Sequence, residues 1–285
     1  MKTINKTKSQ VSRRAGFTLL ELLGVVAILS ILVALILPAV MNAWSRAEVT
    51  AVNAEFTSLT GAITKFQTDF NDQQPWSYVV FEEDGSGWDA ASKSRIRRIW
   101  PQYNFSAAVD INGDGDTTDT IEMSGSECLV FFLGGVRNSS GNLIGFSNSP
   151  INPFKTTGES RTVPYPFDAA RLGDADGDGM LEYADELSGV PILYISSNNG
   201  KGYSRLNGAP NYYVQSDGTT PWNKDGFQLI SAGDDGEYGF DVAPNPFDSS
   251  GGASDVRPKF EAGKDVILQQ RDNIVNFHSG TLEDG

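Results

Sequence analysis

The spacing of the acidic residues between positions 174 and 185 is the feature of this sequence best suited to chemistry. These residues read DADGDGMLEYAD, with acids at the first, third, fifth and twelfth positions and glycine at the sixth. Calcium takes several hard oxygen ligands from a tightly turned chain, and glycine allows such a turn. The pattern predicts a calcium site with the ligands Asp174, Asp176, Asp178, the Met180 carbonyl oxygen and Asp185. Glu186 is an alternative to Asp185, and a metal-free acidic turn is the alternative to the whole site.

A second acidic stretch, residues 110–119, begins in the same way but ends irregularly. It reads DINGDGDTTD, and its expected calcium ligands are Asp110, Asn112, Asp114 and Asp116. The twelfth position from Asp110 is Ile121, so Asp119 or Glu122 would have to supply the last ligand. We refer to residues 110–119 as the 110 loop and to residues 174–185 as the 174 loop. The 174 loop resembles the calcium loops of EF-hands and, because an aspartate closes it, those of dockerin repeats more closely.

Nucleophilic and redox chemistry find little support in the sequence. The chain has one cysteine, Cys128, and one histidine, His278, which leaves no intramolecular disulfide and little for His-based catalysis. Cys128 precedes the apolar run LVFFL, which predicts a buried thiol. The chain contains no G-x-S-x-G, P-loop or dinucleotide-binding fingerprint, and no context singles out a glycosidase-like carboxylate pair. We therefore expect a protein that is not an enzyme.

Charge and aromatic content bear on binding partners. The chain carries 22 basic and 36 acidic residues, a net charge of -14, which would repel phosphates and argues against nucleic acid as a partner. Four tryptophans suit either a carbohydrate-binding surface or core packing, and we favour the core: Trp76, Trp88, Trp100 and Trp222.

An apolar segment near the N-terminus decides on which side of a membrane the rest of the chain lies. Residues 17–37 contain one charged residue, Glu21, and as a helix would span roughly 31 Å, the thickness of bilayer hydrocarbon. Residues 1–16 are basic and contain no acid, which predicts a cytoplasmic N-terminus and an acidic body on the other side of the membrane. A secretory signal is one alternative, but its apolar region would be shorter. A plain membrane anchor is another, but it would not explain why a glutamate lies in lipid.

The segment from Gly16 through Phe17 and Glu21 to Pro38 resembles the N-terminal segment of type IV prepilins and type II secretion pseudopilins. The resemblance implies that a prepilin peptidase cuts between Gly16 and Phe17 and that Phe17 is N-methylated. It also implies that Glu21 acts in assembly by pairing with the new amine of a neighbouring subunit, and pairing with its own N-terminus is the alternative. Pro38 removes a helix hydrogen bond and should loosen the helix there.

The resemblance also sets the expected function, partners and location. It implies a structural subunit of a type IV pilus or type II secretion pseudopilus that supports filament formation or protein secretion. Its partners would be copies of itself, other pilins or pseudopilins, the prepilin peptidase and the inner-membrane assembly platform. The protein would be a single-pass protein of the bacterial inner membrane, with its head in the periplasm or in an extracytoplasmic filament. The alternative function is a membrane-tethered or filament-tip module that binds polysaccharide or a secreted substrate.

The helical pattern continues beyond the apolar segment. Apolar residues at Leu59, Ile63, Phe66 and Phe70 form a stripe expected to pack on a globular head, and Ala47, Ala51 and Ala54 extend a similar stripe backward. Arg46, Asn53, Glu55 and Lys65 form the expected polar face, and the pair Asn71 and Asp72 is expected to end the helix. The predicted divisions are a removed leader (1–16), a membrane or filament-core helix (17–38), its amphipathic continuation (39–71) and a head (72–285).

The head is rich in turn residues between short apolar runs, which predicts an antiparallel sheet against the helix and an α+β, pilin-like fold. Expected strands are 192–196, 212–215, 227–231 and 273–277, and residues 127–133 suit a buried helix or strand. The acidic turn at residues 233–239 follows one of these strands, as a calcium-binding loop does in major pseudopilins. This resemblance implies a third calcium site at Asp234 and Asp235, with an acidic turn as its alternative.

Overall fold

The computed structural model describes residues 17–158, 165–203, 212–215, 217, 219–238 and 272–282. The expected leader, including Gly16, lies outside the described residues. The chain divides into two compact units, one up to Ala47 and one from Glu48 onward.

A single helix, α1 (Leu19–Asp69), runs from the first unit into the second and contains Pro38. It ends where the sequence predicts, because Asn71 and Asp72 adopt positive φ values of 54° and 58°, which an α-helix cannot continue through.

The part of α1 after Glu48 packs through a narrow apolar stripe. The predicted core residues Leu59, Ile63, Phe66 and Phe70 are all buried, which confirms this stripe. Its backward extension through Ala47, Ala51 and Ala54 is wrong, since these alanines are exposed. The stripe continues through Val52 and Phe56 instead, because these positions keep the helical spacing from Leu59 and offer larger side chains for burial.

The remaining elements are short and mainly antiparallel. The helices are α2 (Ala90–Ile99) and α3 (Gly125–Gly134). The strands are β1 (Tyr78–Glu82), β2 (Thr120–Ser124), β3 (Leu172–Gly173), β4 (Glu182–Tyr183), β5 (Leu193–Ser196), β6 (Phe227–Ser231) and β7 (Ile274–Val275). They form the pairs β1-β2 and β3-β4 and the three-stranded sheet β5-β6-β7. A long N-terminal helix with small antiparallel sheets confirms the α+β, pilin-like fold class.

Three of the four expected strands are present. β5, β6 and β7 fall within residues 192–196, 227–231 and 273–277, and Tyr194 pairs with Leu229 in the β5-β6 register. The expected strand at residues 212–215 is wrong, since Val214 forms a single bridge with Pro221 there. This segment contains polar turn residues on both sides, so its backbone pairs locally instead of joining the sheet.

The core of the second unit is dominated by aromatic rings around α3. All ten residues of α3 are buried, so the ambiguous run at 127–133 is a helix. Phe131 and Phe132 meet in an edge-on arrangement with centroids 5.4 Å apart, and Phe132 also contacts Phe66 of α1. Three of the four tryptophans, Trp76, Trp88 and Trp100, are buried in this core, as expected.

A part-buried ion pair joins α1 to the rest of the second unit. Glu55 Oε1 and Oε2 accept hydrogen bonds from Arg171 Nη1 and Nη2 at 2.7 and 2.8 Å. The Tyr183 hydroxyl donates to Glu55 Oε1 at 2.9 Å, and Arg171 Nε donates to the Ala184 carbonyl oxygen at 2.8 Å. Glu55 was expected on the polar face of the helix, but it is packed against the head because Arg171 neutralises its charge.

Candidate functional site

The N-terminal part of α1 presents a continuous apolar surface. An 18-residue window of this helix has a mean hydropathy of 2.9 and is not buried against other described residues. Phe17, Leu19 and Leu20 are each more than three quarters exposed. Among the described residues, α1 is the one helix long and apolar enough to cross a membrane. An apolar surface of this size requires lipid or protein to cover it.

Glu21 and Thr18 form a capping box at the start of α1. Thr18 N–H and Oγ1–H donate to Glu21 Oε2 at 2.9 and 2.8 Å, and Glu21 N–H donates to Thr18 Oγ1 at 3.2 Å. Such a box satisfies backbone N–H groups that lack partners in the first turn of a helix. Sequence reasoning missed this role, although T-x-x-E before an apolar run is its signature. Glu21 therefore has a local structural role in addition to the role expected in assembly.

In the 110 loop, the first aspartate organises the backbone. Asp110 Oδ1 accepts from Gly113 N–H at 2.6 Å, and Oδ2 accepts from Gly115 N–H at 3.1 Å. Asp114 Oδ1 accepts from the N–H of Asp116 at 2.9 Å. The predicted ligand Asn112 is buried and donates from Nδ2 to Asp114 and Asp119 at 3.3 and 3.2 Å.

A glutamate from outside this loop reaches into it. Glu83, immediately after β1, is fully buried, and its Oε1 accepts from Ile111 N–H at 2.5 Å and from Asn112 N–H at 3.3 Å. Its other oxygen, Oε2, has no hydrogen-bond partner among the described residues. Carboxylate oxygens of Glu83, Asp116 and Asp119 lie within 4.8 Å of one another. Burial raises the pKa of Glu83, and the nearby charges of Asp110 and Asp119 raise it further. The hydrogen bonds from the N–H groups of Ile111 and Asn112 oppose this shift.

The 174 loop has the same arrangement. Asp174 Oδ1 accepts from Gly177 N–H at 2.7 Å, Asp174 Oδ2 accepts from Gly179 N–H at 3.0 Å, and Asp178 Oδ1 accepts from Met180 N–H at 2.8 Å. Asp176 and Asp178 also lie within 4.8 Å of a carboxylate oxygen of the buried Glu127 from α3, a residue that sequence reasoning missed.

Glu182 is a buried acid of the 174 loop. It is 1% exposed; Oε2 accepts from Ala175 N–H at 2.6 Å, and Oε1 has no hydrogen-bond partner in the part of the chain that the structure describes. Burial raises the pKa of Glu182 to about 7, helped by the charges of the loop aspartates and opposed by the Ala175 N–H. Glu182 occupies the ninth position from Asp174, a ligand position in EF-hand loops, so the sequence contained a signal for it.

Asp185, the predicted last ligand of the 174 loop, lies in a separate turn. It is buried, and its Oδ1 accepts from Leu187 N–H at 2.5 Å and from Ser188 N–H at 3.4 Å. Like Glu182, it does not belong to the carboxylate group of Glu127, Asp176 and Asp178. A role for Asp185 in metal binding stays a prediction.

Arg137 joins the two loops. Its Nη2 donates to the carbonyl oxygens of Asn112 in the 110 loop and Gly179 in the 174 loop. A side chain at Gly179 would begin 3.3 Å from Asn112 Nδ2, which shows how closely the loops approach. The two acidic loops are therefore one local assembly, although 64 residues separate their first aspartates in the sequence.

The third acidic turn has simpler contacts. Asp234 and Asp235 are exposed, Asp235 Oδ1 accepts from Glu237 N–H at 2.7 Å, and Asp235 N–H donates to Asp272 Oδ2 at 2.8 Å. Asp272 is a neighbour that the sequence did not suggest. Calcium binding at Asp234 and Asp235 stays a prediction.

The described residues thus combine a helix long and apolar enough to cross a membrane with an α+β, pilin-like architecture. Residues 11–37 match the family described as the prokaryotic N-terminal methylation motif. The N-terminal segment of the chain therefore carries the prepilin-type cleavage and methylation motif, which confirms the resemblance drawn from Gly16, Phe17 and Glu21. No curated protein and no solved structure is detectably similar to the chain.

Proposed function

We propose that the protein is a structural subunit of a type IV pilus or type II secretion pseudopilus, with its head outside the cytoplasm. The observation that carries this proposal is an uncovered apolar helix within the N-terminal methylation motif. Processing after Gly16 would leave N-methyl-Phe17 as the first residue. The helix would then leave the inner membrane for the core of a filament, where the same helix of other subunits covers its apolar surface.

The capping box supports a specific account of Glu21 in assembly. Both hydrogen bonds that its carboxylate accepts from Thr18 use Oε2. Oε1 can therefore accept from the amine of Phe17, either of a neighbouring subunit or of the same chain. A carboxylate in an apolar environment is costly alone, and a cationic amine offsets much of that cost. The prepilin peptidase, the assembly platform and other pilins or pseudopilins are the partners this process requires.

Two substitutions separate the charge of Glu21 from its capping role. Glu21→Gln keeps a side chain that can complete the capping box but removes the charge, whereas Thr18→Val removes the cap and keeps the charge. We expect Glu21→Gln to reduce incorporation into sheared filaments at least tenfold and Thr18→Val to reduce it less than threefold. Mass spectrometry of the processed chain should show N-methyl-Phe17 in both variants. Normal incorporation of Glu21→Gln would refute the proposed ion pair, and a mature chain that retains residues 1–16 would refute the proposed function.

A further inference from the structure

The first seven positions of the 110 loop and the 174 loop share one pattern of hydrogen bonds. In both, the first aspartate accepts from the N–H groups at the fourth and sixth positions, and the fifth-position aspartate accepts from the N–H group at the seventh. The fourth-position glycines have φ values of 80° and 82°, and the sixth-position glycines 100° and 93°. These values require glycine in both loops. The sequence alone showed a regular loop and an irregular one, but the first seven positions of both have the same hydrogen bonds and similar glycine φ values.

A buried glutamate also reaches each loop in the same way, and the 174 loop has a second buried glutamate, Glu127, beside Asp176 and Asp178. Glu83 and Glu182 each use one carboxylate oxygen to accept from the N–H group at the second loop position, Ile111 or Ala175. In each the other oxygen is buried, and none of the residues that the structure describes forms a hydrogen bond with it. A buried carboxylate oxygen left in this state is costly. If these loops were acidic turns that served only solubility, nothing would explain why a carboxylate oxygen is buried at this cost. Nothing would explain either why the same arrangement occurs in both loops.

We propose that each loop binds one calcium ion and that the buried glutamate, Glu83 in the 110 loop and Glu182 in the 174 loop, closes each site. A divalent cation would contact the unpartnered oxygen and offset the repulsion among carboxylates that lie within 4.8 Å of one another around Glu83. The donor groups are oxygens, and both loops are built on flexible aspartate ligands, which favours calcium over zinc and over the smaller, more strictly octahedral magnesium ion. Glu182 takes the closing position that the sequence assigned to Asp185.

The joined loops give these sites a structural purpose. The 110 loop leads directly into β2, and Glu83, which follows β1, donates its N–H to the Asp119 carbonyl oxygen at 3.0 Å. Residues 174–181 of the 174 loop lie between β3 and β4. Because Arg137 contacts a carbonyl of both loops, two bound ions would fix these segments relative to each other. A head without a disulfide gains rigidity from such sites outside the cytoplasm.

Calcium counting on the full chain tests the proposal. The chain, solubilised in detergent and stripped with chelator, is titrated with calcium chloride by calorimetry, and bound ions are counted by native mass spectrometry. We expect the wild type to bind at least two ions with dissociation constants at or below about 1 mM. Glu83→Gln and Glu182→Gln, which preserve side-chain volume, should each bind one ion fewer, and the double variant two fewer. Magnesium chloride at the same concentrations should give at least tenfold weaker binding.

Matched controls locate the effect. Asp84→Asn and Glu186→Gln each remove one exposed acid near a proposed closing residue and should retain the wild-type stoichiometry, as should Asp185→Asn. If the wild-type chain binds fewer than two calcium ions, the proposal is overturned whatever the variants do. Glutamine variants that keep the wild-type count with dissociation constants within threefold also overturn it. Loss of an ion in Asp185→Asn, with none lost in Glu182→Gln, overturns the assignment of the closing residue.

Discussion

The ion pair between Glu55 and Arg171 should add to the attachment of the second half of α1 to the head, beside the buried apolar stripe. Both side chains are less than one fifth exposed, at 13% and 17%, and two nearly parallel hydrogen bonds join them. Removing one partner of a buried pair leaves a charge without compensation and typically costs about 3–5 kcal/mol. Glu55→Gln keeps some hydrogen bonding to Tyr183 and Arg171, so we expect a loss near the lower limit, about 3 kcal/mol.

The exposed pair Lys65–Asp69 on the same helix is the matched control. Its atoms are 3.2 Å apart, but both side chains are nearly half exposed, so Asp69→Asn should cost less than about 0.5 kcal/mol. Thermal unfolding of the detergent-solubilised chain, followed by near-UV circular dichroism, should show a fall in Tm of roughly 6–12 °C for Glu55→Gln. Asp69→Asn should shift Tm by less than about 2 °C. Equal shifts in the two variants would refute the claim that burial makes the Glu55–Arg171 pair important.

Two further predictions concern the core. Gly135→Ala should destabilise the head by more than about 2 kcal/mol in the same unfolding assay, because φ is 83° and the new Cβ would lie 2.2 Å from the Gly145 backbone. Gly141→Ala, with φ of 80° and open space around it, should cost only about 1 kcal/mol, and similar losses in both would contradict the close approach. Cys128 is buried, and burial raises its thiol pKa well above the usual value. Iodoacetamide at pH 8 should therefore alkylate it at least a hundredfold more slowly in the folded chain than in urea, and comparable rates would show that the thiol is accessible.

The parts of the fold that depend on local spacing could be predicted from the sequence. Leu59 and Ile63 were assigned to the core from helical periodicity, which depends only on residues within two turns. Glu55 was assigned to the polar face by the same reasoning, because the pattern contains no information about Arg171, which lies 116 residues further along the chain. The alanine extension failed for a related reason. Periodicity identifies a face, but the partner that packs against the helix decides which small residues on neighbouring faces stay exposed.

The acidic loops of the proposed sites show the same limit: the sequence predicts what local spacing decides, but not contacts between distant parts of the chain. The aspartates and glycines of the 110 loop and the 174 loop lie within a few residues of one another, so their spacing was sufficient to identify both turns. Glu182 also lies inside its own loop and was within reach of sequence reasoning. Glu83 was not, because it precedes Ile111 by 28 residues and meets it only through the pairing of β1 with β2. The 110 loop looked irregular because its closing carboxylate comes from another part of the chain. Other Asp- and Gly-rich loops without an acid at the ninth or twelfth position therefore need to be judged by the buried acids that the fold brings to them.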